Sequence, residues 1–142
     1  MANTKPIGVA YSDQNITGAD TLSATNIVST GTLGYGSAQF GTVTQQNNKT
    51  TGVTINTPSG QITTANAQMA PNANAVFIVT CSSVSARDAV VANVASGGTL
   101  GAYNIFVASI ADGSFTLELK NVTNNAYSEV IKLNYIIIHT ES

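Results

Sequence analysis

Gly113-Ser114-Phe115-Thr116-Leu117-Glu118-Leu119-Lys120 decides the fold class. Phe115, Leu117 and Leu119 fall on one side of an extended chain, and Thr116, Glu118 and Lys120 on the other. That period of two belongs to a strand with one buried and one wet face. Asp112-Gly113, just before it, suits a tight hairpin turn in which both central residues take positive φ. Upstream, Tyr103, Ile105 and Val107 share one side and Phe106, Ala108 and Ile110 the other, so this neighbour reads as a strand needing cover on both faces. Downstream, Ile131, Leu133 and Tyr135 alternate with Lys132 and Asn134. The chain then becomes a continuous Ile136-Ile137-Ile138, a run that asks for burial on two sides, the second supplied by another subunit.

Working outward, short runs of Val, Ile, Thr, Phe and Tyr are closed by turn residues, including Thr57-Pro58-Ser59-Gly60, Ser96-Gly97-Gly98 and Asn124-Asn125. The breaks predict strands near 42–46, 52–56, 61–65, 75–81, 88–95, 101–110, 114–121 and 128–138. Ala-rich stretches at 65–70 and 84–92 do not make helices, because Pro71 and the β-branched Val84, Val90 and Val91 spoil them. The expected fold is therefore all-β: an antiparallel β-sandwich or jelly-roll-like domain of about eight strands spanning 41–142. Residues 1–40 are broken by Gly8, Gly18, Gly31, Gly34 and Gly36 and show no settled periodicity, so they read as an extended N-terminal arm.

Charge narrows the function classes. Only 8% of the 142 residues are Asp, Glu, Lys or Arg, against about 25% in an ordinary soluble domain. A hydrophobic share of 43% suffices for one core. Lys5, Lys49, Arg87, Lys120 and Lys132 are scattered, which argues against a nucleic-acid partner. No stretch approaches the roughly 18 apolar residues of a membrane span, and Met1 to Pro6 does not start like a signal peptide, so no membrane partner is expected. Sequons at Asn15, Asn48 and Asn121 read as chance products of an Asn- and Thr-rich chain.

Chemistry-bearing residues are few. His139, the single histidine, has no second imidazole or Cys beside it and reads as an incidental surface residue, with Glu141 as its nearest candidate partner. Cys81, the single cysteine, follows Phe77 and Val79 on one face and reads as core. Arg87 is the single arginine. Its planar fork suits an intersubunit carboxylate or carbonyl, and a solvated loop end is the alternative. No EF-hand spacing, Gly-x-Ser-x-Gly elbow or phosphate loop is present. The expectation is no enzyme, no cofactor and no metal.

An ordered series of segments carries a resemblance: Gly34-Tyr35-Gly36, Gly41-Thr42-Val43-Thr44-Gln45, Lys49-Thr50-Thr51-Gly52-Val53-Thr54-Ile55-Asn56 and Ser59-Gly60-Gln61-Ile62-Thr63-Thr64. It continues through Val90 to Thr99, Gly101-Ala102-Tyr103, Leu119-Lys120-Asn121-Val122 and Ser128 to Tyr135. Over residues 34–138 the chain is similar to small structural proteins encoded in tailed-bacteriophage and prophage virion modules. The resemblance implies a β-sandwich in a virion component, a head decoration (cement) protein or a fibre domain. A chain of this size with no shaft or tail-attachment part points to decoration.

The resulting expectation is a homo-oligomer, expected to be a trimer, on the outer capsid surface with the major capsid protein as partner. Tyr135, Ile136, Ile137, Ile138 and Arg87 would form its subunit interface. The rival is a receptor- or surface-binding fibre module, which would expose an aromatic patch built from Tyr11, Tyr35 or Tyr127. A third reading, a small hydrolase, would need His139 beside a Ser or Cys81.

Overall fold

A computed structural model describes residues 34–140. The arm expected over 1–40 therefore lies outside the described residues up to position 33. A sandwich unit begins at Gly34, and a single 3-10 turn, Ser37–Gln39, leads directly into the first strand. Ten strands follow: β1 Phe40–Thr44, β2 Val53–Thr54, β3 Ser59–Thr63, β4 Gln68–Met69, β5 Asn74–Thr80, β6 Ala89–Gly97, β7 Tyr103–Ala111, β8 Ser114–Asn121, β9 Tyr127–Ser128 and β10 Ile131–Ile138.

The described residues are all-β and form a sandwich. One sheet has the order β1-β3-β10-β6 and the other β2-β5-β8-β7, with β4 and β9 forming a short ribbon. Most pairs are antiparallel, but β1 runs parallel to β3 and β2 parallel to β5. The sheets are thus mixed where an antiparallel sandwich was expected. The β1 to β3 link reverses direction twice by way of β2 in the opposite sheet, which returns the chain parallel to where it left.

The alternation in the opening stretch is realised in full. In β8, Phe115, Leu117, Leu119 and Asn121 are buried, and the residues between them are half covered. They meet Phe77 and Val79 of β5 within their own sheet and Leu133, Tyr135 and Ile137 across the sandwich. The rings of Phe115 and Tyr135 sit 5.2 Å apart and tilted at 52°, a separation at which aromatic pairs add to plain burial. Tyr135 donates its hydroxyl to the Thr57 carbonyl at 2.8 Å, and burial pushes its pKa up to about 12. Room for that ring depends on Gly60. A Cβ there would lie 2.8 Å from the Gly41 carbonyl oxygen and 2.9 Å from Tyr135 Cε1.

Two bulges correct the simple period of two. In β7 the register skips between Val107 and Ser109, so Ala108 is the extra residue and Ile110 pairs opposite Phe115. Ile110 therefore joins Tyr103, Ile105 and Val107 on the inner side, not Phe106 on the outer one. A second skip, opposite Lys132 and Leu133, leaves Ala95 of β6 unpaired. An inserted residue reverses every side chain beyond it.

The C-terminal isoleucine run is also corrected. Tyr135 and Ile137 are buried in the chain's own core, while Ile136 and Ile138 face outward. The alternation begun at Ile131 runs to the end of the strand, and its second face turns apolar only where Ile136 and Ile138 take the last two outward positions after Lys132 and Asn134.

Candidate interaction surface

Pairing register places the outward residues of the first sheet in rows. Phe40 of β1 lies opposite Ser59 of β3, Ser59 opposite Ile136 of β10, and Ile136 opposite Val91 of β6. Ile138 sits one row on, opposite Ala89. Phe40, Val91, Ile136 and Ile138 are exposed by 48, 52, 37 and 54%, so β1, β10 and β6 each bring apolar side chains to this end of the face, with Ser59 of β3 between Phe40 and Ile136. The next row the other way is polar: Thr42, Gln61, Asn134 and Asn93, with Gln61 Nε2 donating to Asn134 Oδ1 at 2.9 Å. A band of this kind rimmed by amides is the composition of a protein contact.

Of the residues expected at a subunit interface, only Ile136 and Ile138 belong to this surface. Tyr135 and Ile137 are core residues and offer nothing to a partner. Arg87 is exposed in a turn before β6, not on a strand, and its carbonyl accepts from Thr140 Oγ1 at 2.9 Å.

Beside the band, the end of β10 is fastened by a buried carboxylate. Asp88 accepts from the Ser85 amide at 2.9 Å and from the Thr140 amide at 3.1 Å, and its Oδ2 lies 3.0 Å from His139 Nδ1. His139 is thus a structural partner of Asp88, not the incidental residue expected from sequence. The Tyr35 ring meets the imidazole edge-on at 6.2 Å, and its hydroxyl donates to the Ile137 carbonyl.

The Ser85 amide foremost, helped by His139 and Thr140, holds the Asp88 carboxyl at about 2, below the usual value of about 3.9. A depressed carboxylate stabilises the fold above its unfolded pKa, and that contribution is lost as the folded pKa is approached. The thermal midpoint should therefore fall as pH drops from about 4 toward 2. Asp88→Asn should flatten that limb, and an unchanged slope by calorimetry would remove Asp88 from the account.

At the other end, a polar hub fixes the loop between β6 and β7. Lys49 is 3% exposed and donates its ammonium to the carbonyls of Ala65 at 2.6 Å and Glu129 at 2.5 Å. Burial lowers its pKa. The Glu129 carboxylate accepts from the Thr99 amide at 2.8 Å, Thr99 Oγ1 at 2.7 Å and the Tyr103 hydroxyl at 2.9 Å. The Thr99 bonds are the main cause holding its carboxyl below the usual range. Thr99 is thereby pinned, and the Ala102 amide closes back onto its carbonyl at 3.1 Å, presenting a fully exposed Leu100 at the tip. A cleft of about 310 Å³ lies along Val94 to Gly101 and Tyr103, with no charged side chain in its lining.

Cys81 is completely buried, its thiol directed at the Thr57 carbonyl at 3.5 Å. It is packed away from any reagent, while His139 is engaged by Asp88 and Tyr35. Among the described residues no three His, Cys, Asp or Glu side chains group as metal ligands. Tyr35 and Tyr127 each lean on an internal partner, His139 and Tyr103 respectively, and Tyr11 lies outside the described residues. Sequence reasoning missed the Asp88 and Lys49 hubs, whose partners are far apart along the chain. It had no signal for them beyond the rarity of charge itself.

The fold and this surface describe a small two-sheet β-sandwich with exposed apolar residues on both outer faces, Phe40, Val91, Ile136 and Ile138 on one and Val76, Ile78 and Phe106 on the other. No protein-family model, no curated protein and no solved structure matches this chain.

Proposed function

We propose that this chain is a structural protein of a bacteriophage virion, a decoration protein that seats on the outer surface of the head shell and stabilises it by bridging coat-protein subunits. The observation that carries the reading is the group of exposed apolar residues Phe40, Val91, Ile136 and Ile138 on a sheet face otherwise made mainly of Thr, Ser, Gln and Asn, with Lys132 its one charge among the described residues. An almost uncharged face loses little hydration on docking, and its amides supply rim hydrogen bonds. The segment series similar to phage virion proteins supports the same conclusion. Each copy needs only modest affinity: many copies on one particle, and self-association between them, raise the effective concentration at every contact. The partners are thus the major capsid protein and other copies of the chain, and the location is the virion exterior.

The test adds the full chain to coat-protein shells assembled without it and measures co-sedimentation and the temperature of shell opening. Hundreds of copies per particle spread over the head and a raised opening temperature are expected. Ile138→Asp and Ile136→Asp alter exposed positions and should keep the fold while reducing shell affinity by about tenfold or more each, equivalent to at least about 1.4 kcal/mol. Failure to bind shells, or a handful of copies confined to the tail, would refute decoration.

A further inference from the structure

The strands β6 and β7, each nine residues long, are the outermost members of the two sheets on the same side, joined by the loop that carries Leu100. From Ala89 to Ala111 the chain contains no charged residue and no proline. Natural sheet edges are ordinarily guarded by Lys, Pro or an inward charge, and here only the bulges at Ala95 and Ala108 interrupt them. Core packing thins at the same place. Val90, Ala92 and Val94 on β6 and Ile105, Val107 and Ile110 on β7 point toward the core but remain partly uncovered. On the opposite side, Val53 of β2 is buried and Val43 of β1 is the partly covered counterpart.

We infer that copies of this chain associate through their β6/β7 sides. The occupant must be apolar, must bring no charge against an uncharged edge, and must match two neighbouring edge strands each about 30 Å long. A second copy of the same side meets all three conditions, since identical uncharged edges meet without like-charge repulsion. Covering a side about 30 Å long and about 20 Å deep on both partners removes on the order of 1,200 Å², the lower end of what stable specific interfaces bury. The pinned Thr99–Leu100 turn adds an apolar residue already held in place, so little order has to be gained on contact. This inference rests on and deepens the assembly reading by placing contact between copies on the β6/β7 side and leaving the Phe40–Ile138 band free for the shell.

Light scattering of the full chain at increasing concentration should give a mass of two chains, the multiple that a contact between identical sides closes on. Ile105→Lys puts an inward charge on the edge and should return the mass to that of one chain with an unchanged far-ultraviolet spectrum. Ile78→Asp, on the outer face of the other sheet, should leave the multiple intact. Where Ile105→Lys does not fold, Ala108→Cys decides: with Cys81 buried, oxidation should link chains pairwise through the new thiol. A single-chain mass for the unaltered protein, a multiple that survives Ile105→Lys in folded protein, or no linkage through Ala108→Cys overturns the inference. A single chain that still decorates shells would defeat this interface alone, whereas an oligomer that ignores shells would defeat the decoration reading alone.

Discussion

Ile137→Asp is expected to leave no folded domain, while Ile138→Asp, one residue further on, is expected to fold as the unaltered chain does. Ile137 is 0% exposed and Ile138 is 54% exposed, so the first substitution puts a carboxylate among Leu133, Phe115 and their neighbours with no donor assigned to it. Burying an unpaired charge, added to the lost packing of an Ile, costs more than about 5 kcal/mol. That rivals the about 5–15 kcal/mol that holds a domain together. Circular dichroism and a denaturant titration separate the outcomes. A cooperative Ile137→Asp protein of near-normal midpoint would mean that β10 presents its other face to the core.

The second large effect is expected at Gly97→Ala. Gly97 closes β6 with φ +79, and a Cβ there would lie 2.4 Å from the Val130 carbonyl oxygen. The obstacle is backbone, so no side chain can swing aside. Left-handed strain and overpacking each cost about 1–3 kcal/mol; together they should lower stability by about 2–6 kcal/mol. Gly101→Ala is the control. It shares a positive φ of +75 but meets nothing within 4 Å, so only the strain remains and the loss should be about half as large. Equal losses in a denaturant series would show that the Val130 carbonyl yields freely.

Strands were legible wherever apolar and polar residues alternate, as in β8, because a one-sided strand writes its orientation into every second position. That logic failed at Ala108, where one inserted residue moved Ile110 inward without altering composition. It also misled at Ile136-Ile137-Ile138, since an outward Ile and an inward Ile are the same letter. Parallel pairing of β1 with β3 and of β2 with β5 left no trace, because nothing in five or two residues reports a partner's direction.

The polar hubs were illegible for a different reason. Lysine is ordinarily exposed, and nothing near Lys49 announces that Glu129, 80 positions away, will supply its carbonyl. The sequons, taken as chance, prove to be turn chemistry at two sites. Asn48 Oδ1 accepts from the Thr50 amide at 2.9 Å, and Asn121 Oδ1 from the Thr123 amide at 3.0 Å. A hydroxyl residue two places after an Asn is what such a turn uses. Of the interaction surface, the outward isoleucines were readable as sticky, but Phe40 and Val91 join them only through register.

Phe40 and Ile136 both stand opposite Ser59, one at the start of its strand and the other near the end of its own. With Tyr35 held against Ile137 and His139, the described body has its first and last residues at one corner. A pull applied between those two points meets the Tyr35 and His139 clasp first and then peels strands from their ends, breaking bonds one after another. A load spread over the outer face of the sheet is shared by four strands at once. As a mechanical part, the sandwich resists being lifted by its face far better than being drawn open by its ends.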